Sequence, residues 1–134
     1  YDVTRVVDGD TLIVNIDGKD TKVRMIGINT PESVAEDESR NCEEGVIASD
    51  FTKELLQDKK VFLEYDVEDK DQYDRTLAYV YLEDGQMVEC ILLEEGLATT
   101  MYREPNTTHA DLFSSLMNKA KKNEEGFWGT GFFK

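Results

Sequence analysis

The Asp17-Gly18 pair constrains this chain most, because it separates two apolar-alternating runs and calls for a two-residue hairpin turn. Before it, Thr11 to Ile16 places Leu12, Val14 and Ile16 on one face. After it, Thr21 to Ile28 returns as a further strand. Tyr1 to Val7, ahead of the turn Asp8-Gly9-Asp10, reads as the first strand, so the first third of the chain is a β-meander.

The meander ends abruptly. Val23 to Ile28 is apolar except for Arg24, and Pro31 fixes its own φ while holding Thr30 extended, so the strand stops there. Asn29, Thr30 and Glu32 then bring an amide, a hydroxyl and a carboxylate into the loop. A cation beside oxygen ligands suits a phosphate and a hard metal ion. Asp8-Gly9-Asp10-Thr11 and Asp71-Gln72-Tyr73-Asp74-Arg75 are the stretches able to complete such a site.

Residues 33–41 are polar, acidic and aperiodic, as expected of a mobile surface loop. Glu43 to Gln57 is predicted to be helical, with Ile47, Phe51 and Leu55 on one stripe. Val61 to Val67 is a strand in which Val61, Leu63 and Tyr65 alternate, and Arg75 to Leu82 is the fifth strand. Val88 to Glu95 is a short helix closed by Gly96. Thr108 and Asp111 form a capping box that opens a last helix, with Leu112, Phe113, Leu116 and Ala120 facing inward. Phe127-Trp128 packs the chain end onto the body. Five strands and three helices in this order predict an α+β fold, mainly a small closed barrel of the five-stranded OB type.

At 134 residues and 15.3 kDa, the chain suits one domain spanning 1–134. Its apolar runs are too short to cross a membrane. It opens at Tyr1 without Met, as a trimmed product would, so missing targeting signals say nothing about location. Cys42 and Cys90 are too few for a zinc set; one bridge or two free thiols both fit, the free thiols more simply. The net charge of −14 should repel a polyanion, so nucleic-acid chemistry here has to rest on local cations and a bound metal, and to be salt-sensitive.

Taken singly, each candidate residue has an ordinary reading. Asp8-Gly9-Asp10 is common turn chemistry, and Arg24 and Arg75 suit strand arginines paired with acids. Together they say more. Asp10, the Asn29 amide oxygen and the Thr30 carbonyl are oxygen ligands suited to Ca²⁺. Arg24 and Arg75 form a phosphodiester clamp. Tyr73 and Tyr102 either meet a nucleotide or pack partly into the core. The sole histidine, His109, suits a solvated surface role.

Val7-Asp8-Gly9-Asp10-Thr11, Val23 through Glu32, Tyr73-Asp74-Arg75-Thr76-Leu77-Ala78-Tyr79 and Gly96-Leu97-Ala98 resemble the staphylococcal nuclease (thermonuclease) family. So do Pro105-Asn106-Thr107-Thr108-His109 and Trp128. The resemblance covers nearly the whole chain, in order. It implies an OB-type barrel with three helices and a Ca²⁺-dependent phosphodiesterase that cuts DNA and RNA, preferring single strands, to 3′-phosphate ends. It also implies a secreted or cell-surface monomer. By position, Asp10 matches the calcium carboxylate and Thr30 the carbonyl ligand. Glu32 matches the residue that orients or deprotonates water, and Arg24 and Arg75 the phosphate arginines. Tyr73 matches a tyrosine beside the phosphate, and Tyr102 a base-stacking tyrosine if one residue is deleted nearby.

Three departures stand out. Asn29 takes the place of a second calcium aspartate, which predicts weaker Ca²⁺ binding or an altered metal preference. Asp74 stands where the family has glycine, and Gln72 where a lysine often lies. The alternatives to an endonuclease are a weakly active or inactive nuclease-like binding module, or a plain OB-type single-strand or protein-binding domain.

Overall fold

A computed structural model of the protein describes residues 1–32 and 42–134; the loop expected at 33–41 lies outside the described residues. Strands β1 (Asp2–Asp8), β2 (Thr11–Ile16) and β3 (Lys19–Met25) form the antiparallel meander. The turn between β2 and β3 holds Asp17 at φ 53 and Gly18 at φ 83, the two left-handed residues that a type I′ hairpin requires. After the short β4 (Ile28–Asn29) come helix α1 (Glu43–Leu56), β5 (Val61–Glu64) and β6 (Thr76–Leu82). Helix α2 (Val88–Glu94), the short β7 (Thr99–Thr100), helix α3 (Ala110–Lys122) and a 3-10 turn (Gly126–Trp128) complete the described chain.

The five-stranded sheet runs β1-β2-β3-β6-β5 and is antiparallel except where β3 meets β6 in parallel. Among the described residues the fold is α+β, with three helices. The strands do not close into the expected barrel as a continuous ladder among the described residues. Its two edge strands meet at one end only: the Tyr1 amine donates to the Val61 carbonyl, the Val61 amide to Tyr1, and the Val3 amide to Lys59. The core between sheet and helices holds Leu12, Val14, Val23, Met25, Leu56, Val61, Val80, Leu92 and Phe113.

Five expectations need correction. The third strand is not continuous to Ile28. At Gly27, φ is +85 and an added Cβ would lie 2.7 Å from the Phe113 ring, so the chain turns under that aromatic edge. Ile28–Asn29 then pairs with Thr99–Thr100 in a separate two-stranded sheet. β5 ends at Glu64, leaving Tyr65 and Val67 exposed, because Asp66 turns out of the ladder to bind Thr108 and Tyr79.

On α1 the buried face is Ala48, Thr52 and Leu56 rather than Ile47, Phe51 and Leu55; Ile47 is exposed and the other two half-buried. Small residues let the helix approach β1, where the Thr52 hydroxyl donates to the Gly9 carbonyl at 2.8 Å. Finally, Thr108 does not cap α3. Its hydroxyl and amide both go to Asp66, and His109 takes the N-cap position without a side-chain bond. His109 is half-buried rather than solvated, edge-on to Tyr79 at 4.5 Å and 2.8 Å from Glu64. Both cysteines are free, and Phe127 is buried as expected.

Candidate active site

The turn between β1 and β2 is where the site begins. Asp8 and Asp10 are buried, and Gly9 lies so close to the Thr30 side chain that a Cβ there would fall 2.7 Å from Thr30 Oγ1. That approach lets the Thr30 amide donate to Asp10 Oδ2 at 3.1 Å, joining residues twenty apart in sequence. The Thr11 hydroxyl donates to Asp10 Oδ1 at 3.0 Å.

Arg24 leaves β3 directly opposite Thr11 and is buried. Its guanidinium lies 3.2 Å from Asp10 Oδ2 and donates to the Met25 carbonyl at 2.7 Å and, at 3.4 Å, to Asn29 Oδ1. A buried ion costs much desolvation, and this one is offset by a carboxylate and two further acceptors. Arg75, just before β6, is held differently. Asp71 accepts from the Arg75 amide at 2.9 Å and from Nε at 2.7 Å, and Tyr73 lies beneath the guanidinium at 5.6 Å. Burial alone would raise the Asp71 carboxyl, but bonds from Arg75 and the Tyr73 amide outweigh it and hold it below the ordinary carboxylate range.

These groups open onto one cleft of about 370 Å³ whose walls include Asp10, Arg24, Asn29, Glu32 and Arg75. Among the described residues, four carboxylates (Asp8, Asp10, Glu32, Asp71) and four cations (Lys22, Arg24, Arg75, Arg103) line it, whereas the chain as a whole carries 29 acids and 15 bases. The described wall of the cleft is thus far less acidic than the protein. Glu32 is half-buried, and its backbone carbonyl accepts from the Cys42 amide at 3.1 Å and from the Cys42 thiol at 3.7 Å.

Thr30 is buried and bonded to Asp10 through its amide but is not among the cleft-lining residues, and its hydroxyl has no hydrogen-bond partner among the described residues. Tyr73 is 70% exposed beside Arg75, and Tyr102 is exposed and not among the cleft-lining residues, which include its neighbours Met101 and Arg103. Neither tyrosine packs into the core. The cleft also includes Asp71, Lys22 and Arg103, to which sequence reasoning gave no role. Lys22 was readable as the residue two before Arg24 on the same strand face. Arg103 had no local signal.

The donors near Asp10 are all oxygens, and among the described residues no three His, Cys, Asp or Glu side chains gather as a metal cluster. The Asp10 carboxylate and the Asn29 amide oxygen on the cleft wall fit a hard divalent cation held by few protein ligands and completed by water or substrate.

Comparison with known proteins decides the kinship. A family model described as staphylococcal nuclease homologue matches residues 22–130. This chain belongs to the staphylococcal nuclease family. It is 44% identical over 128 residues to a thermonuclease of Staphylococcus intermedius, covering 96% of this chain and 75% of the relative. Identity to a thermonuclease of Staphylococcus hyicus is the same, with the same coverage. An endonuclease of Bacillus subtilis, YncB, is 41% identical over 128 residues, 92% of this chain and 59% of its own length. The matched span includes Arg24, Glu32 and Arg75, while Asp10 lies ahead of it.

Proposed function

We propose that this protein is a nuclease, a hydrolase that cuts phosphodiester bonds of DNA and RNA with Ca²⁺ as its cofactor. The observation that carries the reading is the convergence of Asp10, Arg24, Glu32 and Arg75, scattered along the chain, on one cleft. The partial closure of the sheet at Tyr1 and Val61 supports reading it as an OB-type barrel with this cleft on its side.

Arg24 and Arg75 would each present guanidinium donors to the non-bridging oxygens of the scissile phosphate. Both are fixed beforehand, Arg24 by Asp10 and Met25, Arg75 by Asp71, so little reorganisation accompanies charge build-up at phosphorus. Glu32 would hold and deprotonate the attacking water, with the 5′-oxygen leaving and a 3′-phosphate remaining. Asp10, Asn29 and the Thr30 carbonyl would hold the cation, which when bound supplies positive charge to a phosphate oxygen. Tyr73 stands exposed beside Arg75, where it can meet the substrate.

Digestion of single-stranded DNA with and without Ca²⁺ tests this, with Arg75→Ala as control. The reading expects calcium-dependent cleavage that drops by about 10²–10³ in the variant. Equal activity in the variant, or none in the wild type with any divalent metal, would overturn it.

A further inference from the structure

The four cations of the cleft are not equivalent. Arg24 and Arg75 are each tied to a carboxylate, at 3.2 and 2.7 Å. Lys22 and Arg103 are exposed and, among the described residues, make no ion pair or side-chain hydrogen bond. Neither charge is therefore compensated by an ion pair, although the protein around them is acidic.

Their placement is fixed by backbone. The parallel ladder pairs Val23 with Thr76 and Arg24 with Leu77, so Lys22 falls beside Arg75 one step before the ladder begins. Lys22 and Arg24 are two apart on β3 and project from the same face. Arg103 belongs to a different segment. The Met101 amide binds the Gly27 carbonyl at 2.9 Å, and the Asn106 amide binds the Arg103 carbonyl at 2.9 Å. The Asn106 side chain in turn clasps the Glu68 backbone, accepting from its amide and donating to its carbonyl, both at 2.8 Å. Arg103 is thus displayed from a pinned turn, not from a loose loop.

We propose that Lys22 and Arg103 bind phosphates of the polynucleotide that flank the scissile one. This deepens the nuclease reading above and rests on it. It makes the preferred substrate a chain with several consecutive phosphates, drawn into the cleft by these two cations. Paired arginines can grip a phosphate only within their fixed geometry, whereas free cations on flexible stems add affinity by counterion release.

The test is fluorescence-anisotropy binding of a labelled oligothymidylate across a salt series in the presence of a chelator, for wild type, Lys22→Gln, Arg103→Gln and Arg103→Lys. Each Gln variant should weaken binding about fivefold and reduce the slope of log affinity against log salt by about 0.7. Arg103→Lys should keep the wild-type slope. In turnover assays each Gln variant should raise KM for the oligomer far more than for a dinucleotide, which carries one phosphate. Unchanged slopes, or equal penalties on dinucleotide and oligomer, overturn the proposal. If the slopes change as expected but the wild type cleaves nothing with any metal, the nuclease reading fails while the flanking sites stand.

Discussion

Glu89 is fully buried on α2 beneath β6. The β3–β6 ladder stops at Met25 and Ala78, and two residues on, the Val80 amide donates instead to Glu89 Oε1 at 3.0 Å. The other carboxyl oxygen has no hydrogen-bond partner among the described residues. Burial pushes this carboxyl from its ordinary 4.5 up to about 8, against the Val80 bond that favours the charged form. In the unfolded chain it ionises near 4.5, whereas the folded protein resists ionisation until about pH 8. Stability should therefore be full below the unfolded value and fall as pH rises through this window, then level off above it.

The gap between 4.5 and about 8 corresponds to roughly 5 kcal/mol, as an order of magnitude. That is comparable to the whole stability of a small domain, about 5–15 kcal/mol. Glu89→Gln keeps the acceptor for Val80 and removes the proton. Urea denaturation of both proteins between pH 4 and 9 should show near-equal stability at the acid end and a Gln variant several kcal/mol more stable at the alkaline end. Parallel curves across that range would refute the reasoning and mean that water reaches the carboxylate.

Other consequences follow from single contacts. Asn29→Asp restores a charge next to Asp10, so calcium should bind about tenfold tighter by isothermal titration; unchanged affinity would remove Asn29 from the metal site. Gly9→Ala drives a methyl into Thr30, and a melting curve should show a loss of about 1–3 kcal/mol. Cys42 holds the Glu32 carbonyl through its amide and thiol and caps α1 by accepting from the Gly45 amide at 3.4 Å. Cys42→Val should lower kcat with little change in KM, and Cys42→Ser should recover it; a KM effect instead would assign Cys42 to binding.

The sequence exposed the site wherever chemistry lay in contiguous motifs. Asp10, Arg24, Glu32 and Arg75, each ordinary alone, belong to short motifs near a strand end or turn that point to a site only in combination, and the structure brings all four to one cleft. The roles that depend on register were hidden. Lys22 becomes a neighbour of Arg75 only through the parallel pairing of β3 with β6, and Asp71 becomes the arginine's partner only once the connection before β6 has turned back on itself. Side-chain period also misled on α1. The more apolar stripe was not the one that could come close enough to β1, and Ala48 and Thr52 took its place. A carboxyl filling a gap between strands, as Glu89 does, carries no pattern in one dimension.

For Asp10, Arg24, Glu32 and Arg75 to act together, a cation and a phosphate must share this cleft. Calcium titration in the absence and presence of a nucleotide bisphosphate measures that directly. Binding should be weak alone, markedly tighter with the nucleotide, abolished by Asp10→Ala, and stripped of its nucleotide dependence by Arg75→Ala. Calcium affinity indifferent to the nucleotide, or unchanged in Asp10→Ala, would contradict it.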